Sequence, residues 1–327
     1  MKRVAVVTVL VAAAAVVPVL STAGEPAHRE AARTKPGGCR VLPPNDAFHQ
    51  KVSGLDPAGN SDAIVDRINQ GGDSFLHPDF GSNPHYGIPY RVVSAGQKRV
   101  PVKLTLYPGQ SDKGKQPIPA NAAIEGGRNS SGDRHTLVIQ RDGGDADSDC
   151  RLIELYRARY LGGPKHRWSA GQVSVFDLGR RLPQRPDGWT SADAAGLPIL
   201  PGLVRYDEVK RGHIDHAIRI TFEETRRAYL DPASHYASDL CATNLPPMGM
   251  RFRLGPGYSL AGMTGQARVV AKALKEYGAI TADNGTDWYI TGAKSRRWND
   301  ENLNQLKEIP GDAFQVVDTG AELTNGC

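Results

Sequence analysis

The sequence predicts an all-β fold with minor α, a two-sheet β-sandwich or jelly roll with one main helix and long loops. The first observation behind this prediction is the spread of 36 glycines and 23 prolines through 327 residues, which breaks the chain into short pieces. The second is alternation, as at 100–107, where Lys103 and Thr105 separate Val102, Leu104 and Leu106. An alternating strand places one row of side chains against a core.

Eleven segments are predicted strands and three are predicted helices. The strands are 90–93, 100–107, 134–141, 151–160, 171–178, 203–209, 216–222, 227–230, 249–254, 279–283 and 288–291. The main helix spans 264–277, where Thr264 precedes apolar residues at helical spacing and Gly278 follows as a stop. A second helix is predicted at 299–307 with Asn299 as its cap, and a shorter third one at 62–68. Asn284 and Gly285, between the strands 279–283 and 288–291, predict a hairpin turn.

The N-terminus has the pattern of a secretory signal peptide. Lys2 and Arg3 precede an uncharged apolar run at 4–20, and the small residues 21–23 follow. We expect cleavage after residue 23 and therefore a secreted, extracellular protein. A transmembrane segment is the alternative, but Pro18 interrupts the run, which only just reaches spanning length.

The mature chain is predicted to be one disulfide-braced domain over residues 39–327, preceded by a flexible N-terminus at 24–38 that lacks any apolar period. An even number of cysteines in an exported chain predicts two disulfides among Cys39, Cys150, Cys241 and Cys327. Three pairings are possible. We favour Cys39 with Cys327, which would join the two ends of the domain, and Cys150 with Cys241.

The charge of the chain is nearly balanced. The formal charge of +5 falls to +3 when Lys2 and Arg3 are removed with the signal peptide. The basic residues are scattered along the sequence rather than gathered in a stripe with aromatic residues, which argues against a nucleic-acid partner. We further predict no membrane partner, no cofactor and a monomeric protein.

Residues 186–208 are too apolar for a solvated linker and too rich in proline and glycine for a helix, so they predict a long ordered loop. Aromatic and apolar side chains in this loop can offset the entropy lost on ordering it. We expect the loop to form one wall of a groove, with its Leu-Pro-Ile-Leu-Pro segment at 197–201 packed down as a plug.

The same loop and four shorter segments carry a resemblance to a known group of proteins. The segments are DGWTSADAAGLPILPGLVRYDE at 187–208, HAIR at 216–219, HYAS at 235–238, PPMG at 246–249 and ADNG at 282–285. Together they resemble a group of secreted proteins from bacteria and some fungi that are often joined to carbohydrate-binding modules. The resemblance covers roughly residues 45–318. It implies a secreted, polysaccharide-directed role, although this chain differs from the group in carrying no appended binding module.

Hydrolysis of a glycosidic bond usually needs two carboxyl groups, one as general acid and one as base or nucleophile. Glu154 is the first candidate because it shares one face of a predicted strand with Leu152 and Tyr156. The alternative for Glu154 is an ordinary exposed position on a half-solvated sheet. Asp193 in the long loop is the second candidate and Asp207 the third. We therefore predict a glycoside hydrolase that acts in a loop-lined groove.

Aromatic side chains in the same regions are candidates for binding sugar rings. Trp189, Tyr206 and Trp288 could stack on sugars. Arg219 and His235 could orient hydroxyl or carboxylate groups of the glycan.

Two other functions stay open at this point. A polysaccharide lyase acting on a uronate glycan would use Arg219 to neutralise the carboxylate and His216 or His235 as the base. A non-catalytic lectin-like protein would bind sugar through the same aromatic residues.

A metal site is a weaker candidate. His77, Asp79 and His85 lie close together in the sequence and carry suitable ligand atoms. Two prolines nearby restrict how these side chains converge, and we predict no metal.

Overall fold

Short strands separated by irregular segments dominate the structure, a computed structural model that describes residues 1–2, 35–72, 74–141 and 150–327. Every element named below belongs to the unit Arg33–Cys327. The predicted signal peptide beyond residue 2, and the predicted flexible N-terminus up to residue 34, lie outside the described residues. No helix within these described ranges is long and apolar enough to cross a membrane.

The described ranges contain fifteen strands, which are β1 His77–Asp79, β2 Tyr90–Val93, β3 Val102–Leu104, β4 Thr136–Arg141, β5 Cys150–Tyr156, β6 Arg159–Gly162, β7 Arg167–Ala170, β8 Gln172–Asp177, β9 Ile218–Phe222, β10 Ala228–Leu230, β11 Arg251–Leu254, β12 Ala279–Asn284, β13 Tyr289–Thr291, β14 Phe314–Val316 and β15 Leu323–Asn325. The same ranges contain four α-helices, which are α1 Ser61–Asn69, α2 Tyr206–Arg211, α3 Gly265–Glu276 and α4 Asp300–Leu303. The prediction of a mainly β, sandwich-like fold with minor α is confirmed.

The strands form four sheets within these ranges. The largest has six strands in the order β1-β13-β9-β12-β11-β14, and the next has four in the order β2-β4-β5-β8. A three-stranded sheet, β3-β7-β6, and a two-stranded one, β10-β15, complete the set. Parallel and antiparallel neighbours are mixed, since β9 runs parallel to β12 and antiparallel to β13.

Helices α1 and α3 cover one face of the six-stranded sheet. Alternation along β9 directs Ile218, Ile220 and Phe222 into the core that the sheet shares with these helices. The helix α3 begins after Thr264 as predicted, but Thr264 makes no capping bond. The side chain of Asn302 takes that role, because its Oδ1 accepts from the Ala267 N–H at 3.0 Å.

Both faces of the four-stranded sheet are covered. Leu152 on one face of β5 packs in a core with residues of the long loop. Ile153 and Leu155 on the other face pack against the three-stranded sheet. The predicted alternation along β5 is therefore present, but both rows are mostly buried and only Arg151 in this strand is exposed.

The long loop fills the space beside the four-stranded sheet as a plug. Leu197, Ile199, Leu200 and Leu203 are fully buried in one core with residues of β4, β5, β8 and β12. Gly202 permits a close approach to β9, since a Cβ at this position would lie 2.9 Å from the Cβ of Arg219. A larger residue at 202 would push the plug away from the strand.

Two local predictions were wrong. The segment predicted as a strand at 203–209 turns into the helix α2, so Asp207 and Glu208 lie in its first turn rather than on opposite faces of a strand. The segment around Asn284 and Gly285 does not form a hairpin, because β9 lies between β12 and β13 in the sheet.

The predicted disulfide pairing was also wrong. The bonds join Cys39 to Cys150 and Cys241 to Cys327. The first ties the N-terminal segment to the start of β5 within a buried core. The second ties the segment between β10 and β11 to Cys327, two residues beyond β15. Neither bond joins the two ends of the domain, because Cys39 and Cys327 lie in different parts of the fold.

We predict that the two disulfides differ in their resistance to reduction. Cys39 and Cys150 are at most 6% exposed, whereas both sulfurs of the other bond belong to exposed residues. A thiolate must reach the disulfide to reduce it. Mild reductant in native buffer, followed by alkylation and peptide mass mapping, should label Cys241 and Cys327 first. Labelling of Cys39 and Cys150 at the same rate would contradict the structure, and the denatured protein should label all four alike.

Candidate functional site

A pocket of about 230 Å³ opens where the long loop meets the ends of β5 and β12. It is lined by Tyr107, Asp133, Tyr156, Thr190, Ser191, Ala192, Asp193, Ala194, His235, Ala237, Asp283 and Asn284. A larger pocket of about 500 Å³ lies around Arg181 and Asp231. We choose the smaller one because its wall contains two carboxyl groups in direct contact, Asp193 and Asp283.

Arg219 on β9 organises the wall of this pocket. Its Nε donates to Asp193 Oδ2 at 2.7 Å and its Nη2 to Asp193 Oδ1 at 2.6 Å, which is bidentate geometry. Its Nη1 donates to Thr291 Oγ1 at 2.7 Å, and Nη2 also donates to Asp283 Oδ2 at 3.0 Å. Since all three nitrogens donate within the protein, Arg219 orders the site rather than reaching a ligand.

The two carboxyl groups differ in exposure. The Asp193 side chain is fully buried, whereas the Asp283 side chain is 20% exposed and reaches the pocket. A β-bulge at Ala282, between Thr281 and Asp283, interrupts the β9–β12 register just before Asp283, and bulges of this kind redirect side chains. Asp283 is thus the carboxyl group that a bound molecule can touch.

Asp283 keeps its proton more strongly than an ordinary aspartate. Burial and the charge of Asp193 raise the pKa of Asp283 well above 3.8, and Arg219 only partly opposes them. A hydrogen bond between the two carboxyl groups adds to the shift. The pair therefore shares one proton, which lies on the exposed member because Asp193 is held by Arg219.

A buried ion pair supports the loop next to Asp193. His135 Nδ1 lies 2.7 Å from Glu125 Oε2, and His135 Nε2 lies 3.1 Å from the carbonyl oxygen of Ala192. Both ring nitrogens face acceptors, so the ring is an imidazolium. Burial opposes that charge, but Glu125 outweighs it and raises the pKa of His135 to about 9. The cation thereby holds the backbone beside Asp193.

His235 offers the pocket a hydrogen-bond acceptor. Its Nδ1–H donates to the carbonyl oxygen of Ala194 at 2.8 Å, which leaves Nε2 as the unprotonated nitrogen. Burial lowers the pKa of His235, so the ring is neutral. Tyr156 lines the same pocket, and burial, Asp133 and Asp283 all raise the pKa of its phenol.

Glu154 does not reach the pocket. Its side chain is fully buried beneath the plug, where its carboxylate accepts from the N–H groups of Ile199 and Leu200 at 3.0 Å. Burial raises the pKa of Glu154 to about 7 despite these donors. The geometry gives Glu154 the role of an anchor for the loop.

Of the other two predicted catalytic residues, Asp193 borders the pocket and Asp207 does not. Asp207 lies in the first turn of α2. Among the predicted sugar-binding residues, His235 lines the pocket, and Arg219 lies behind its wall.

The predicted aromatic platforms lie elsewhere. Trp288 was predicted to stack on sugar, but it is fully buried in the core against Phe314, so that prediction was wrong. Tyr206 packs on Trp298 beneath the guanidinium of Arg297. Trp189 is half-buried, with the Arg185 guanidinium 5.3 Å from its ring centre.

The three weaker metal candidates do not come together at one point. His77 stacks on Tyr289 and lines a separate surface pocket with Asp79, whereas His85 contacts the carbonyl oxygen of Gly126. Across the ranges that the structure describes, no group of three or more His, Cys, Asp or Glu side chains is placed to hold a metal ion.

Sequence reasoning missed Asp133, Tyr156 and Asp283 as pocket residues. Asp283 lay in the segment 282–285 that carries part of the resemblance, but its Asn-Gly sequence indicated a turn. Four of the five resemblance segments contribute to this site or to its supporting network. Comparison of the chain with protein-family models, with curated proteins and with solved structures gave no match.

We predict that Glu154→Gln changes the pH dependence of stability. The pKa of Glu154 is about 7 in the folded protein against 4.5 ordinarily, so its stabilising contribution is complete below pH 4.5 and is lost as the pH rises through 7. Glutamine has no such proton and still offers an oxygen to Ile199. Across this window the variant should gain about 1.4 kcal/mol per pH unit relative to wild type, measured by urea unfolding. A difference that stays constant with pH would contradict the assignment.

Proposed function

We propose that the protein is a secreted enzyme that hydrolyses polysaccharide in the pocket around Asp283, with Asp283 as the general acid. The observation that carries the proposal is the contact between Asp283 and Asp193. A buried, ionised carboxylate stands beside a protonated one that is open to the pocket, and this combination supplies an acid at neutral pH.

The leaving oxygen of the sugar receives the proton of Asp283. As the glycosidic bond breaks, Asp283 becomes ionised, and the Nη2 of Arg219, 3.0 Å from Asp283 Oδ2, stabilises the new charge. Asp193 keeps Arg219 aimed at this oxygen through its bidentate contact.

Asp133 is the second carboxyl group of the proposed mechanism. It is exposed and lines the same pocket as Tyr156 and Asp283. A water molecule between Asp133 and the sugar would lose its proton to Asp133 and attack the anomeric carbon. The neutral His235 then accepts a hydrogen bond from a sugar hydroxyl through its Nε2.

One further feature of the pocket supports a sugar as the substrate. Tyr107, 45% exposed, and Tyr156 offer aromatic surface at the rim.

The lyase alternative receives less support from the same geometry. Arg219 was its candidate for neutralising a uronate, but that guanidinium is fully engaged by Asp193, Asp283 and Thr291. Of its two candidate bases, His216 is buried against Glu208, whereas His235 lines the pocket.

We predict that Asp283→Asn abolishes most of the activity without unfolding the protein. Asparagine can still donate to Asp193 and accept from Arg219, but it has no proton to give to the leaving oxygen. Turnover of a cleaved polysaccharide should fall by about 10²–10⁴-fold, with binding retained. In wild type, turnover should also decline as the pH rises through the pKa of Asp283, because the acid form is lost.

The measurement is the release of reducing ends from a polysaccharide panel, with ultraviolet absorbance followed in parallel. Asp207→Asn is the matched control, since Asp207 lies on α2 outside the pocket, and it should leave turnover unchanged. Undiminished turnover by Asp283→Asn would refute the proposed acid. Ultraviolet-absorbing products would instead support a lyase, and retention on a glycan without any cleavage would support a binding protein.

A further inference from the structure

Three arginines lie together on the surface beside the pocket. Asp133 and Tyr156 border the pocket, and the next residues in the chain are Arg134 and Arg157. The Arg157 N–H donates to the carbonyl oxygen of Asp133 at 2.7 Å, and the Ala158 N–H donates to the carbonyl oxygen of Arg134 at 3.1 Å. The two segments therefore run side by side, and Arg159 follows at the start of β6.

These three guanidinium groups outnumber the carboxylate beside them, Asp133, whose charge acts on Arg134. None of them forms an ion pair within the described part of the chain. Burial and the charges of Arg159 and Arg157 lower the pKa of Arg134. The Nε of Arg134 is buried without a partner in the same ranges. Like charges this close repel one another unless an anion lies between them.

Two of these arginines also have a strained backbone. The φ angles are +51° at Arg134 and +50° at Arg157, in the left-handed region that favours glycine and asparagine. Glycine or asparagine would adopt this conformation at a lower cost, so the protein keeps cationic side chains here at a cost in stability. Strain of this kind is concentrated at functional sites.

The basic surface continues away from the pocket across the three-stranded sheet. Lys103 and Arg159 both lie opposite Ser169, one on each side of β7, and both are exposed. A long polymer could therefore contact positive charge over several of its units while one linkage occupies the pocket.

We propose that the ligand of this surface is an acidic polysaccharide, whose carboxylate or sulfate groups bind Arg134, Arg157 and Arg159 while an adjoining unit enters the Asp283 pocket. Cleavage of this polymer rests on the proposed function, but its binding does not. Guanidinium groups suit carboxylate and sulfate oxygens because they donate two parallel hydrogen bonds.

The test compares binding of the full mature protein to polygalacturonate, heparin, a neutral β-glucan and a single-stranded DNA oligonucleotide. We expect binding to one or both acidic glycans that is much stronger than to the β-glucan or the DNA. Combining Arg134→Gln, Arg157→Gln and Arg159→Gln should weaken it by roughly tenfold per residue. The control combines Lys210→Gln, Lys272→Gln and Arg296→Gln, exposed cations outside the cluster, and should bind like wild type.

Folding of the variants is checked separately. Asparagine adopts a positive φ at a lower cost than arginine, so the urea midpoint of Arg157→Asn should not fall below that of wild type. Its glycan affinity should nevertheless fall. Three results would overturn the proposal. They are a loss of binding in the control triple variant as large as in the arginine triple variant, binding to DNA as strong as to the acidic glycans, and stronger binding to the neutral glucan. Asp283→Asn should bind the acidic glycan normally, so a failure of the catalytic proposal and a failure of this one give different results.

Discussion

The bidentate ion pair between Arg219 and Asp193 is the interaction on which the site depends. It joins the middle of the six-stranded sheet to the long loop, and neither side chain is more than 7% exposed. Withdrawing two charges from water costs several kcal/mol per ion, and their attraction offsets that cost only when the remaining donors and lone pairs are satisfied. Thr291 and Asp283 complete the set. The loop therefore has one position in which its aspartate can be buried.

Buried carboxylates hold the rest of this loop in the same way. Glu154 binds the backbone of the plug, and Glu208 binds the side chains of Arg205 and His216. Both carboxylates are bound by groups of the protein itself, so they hold the loop in place and do not face a substrate. In the proposed mechanism the acid is Asp283, which belongs to the sheet, contacts Arg219 and is partly exposed to the pocket.

Local patterns predicted most of the strands, because a strand with a buried row constrains every second residue, but they missed β1, β7, β14 and β15. The alternation along β5 and β9 was correct for this reason. What failed depends on distant parts of the chain. Glu154 was placed on the correct face of β5, but the plug that covers it comes 45 residues later. Asp283 was assigned to a hairpin because a turn sequence follows it, whereas β9, from 60 residues earlier, lies between β12 and β13. The disulfide pairing likewise depends on the tertiary fold, which cysteine spacing does not encode.

The charge balance around Asp283 accounts for its proton. In the buried network of the described residues, Arg219 and His135 are paired with Asp193 and Glu125. An ionised Asp283 would add a third anion to a site of low dielectric, so the neutral form is preferred. An acidic sugar bound next to the pocket adds more negative charge and makes this proton harder to lose. The surface arginines offset the repulsion that this sugar would otherwise feel. Binding an acidic substrate and keeping the acid protonated then support each other, because the anion that needs the arginines also raises the pKa of the group that must donate.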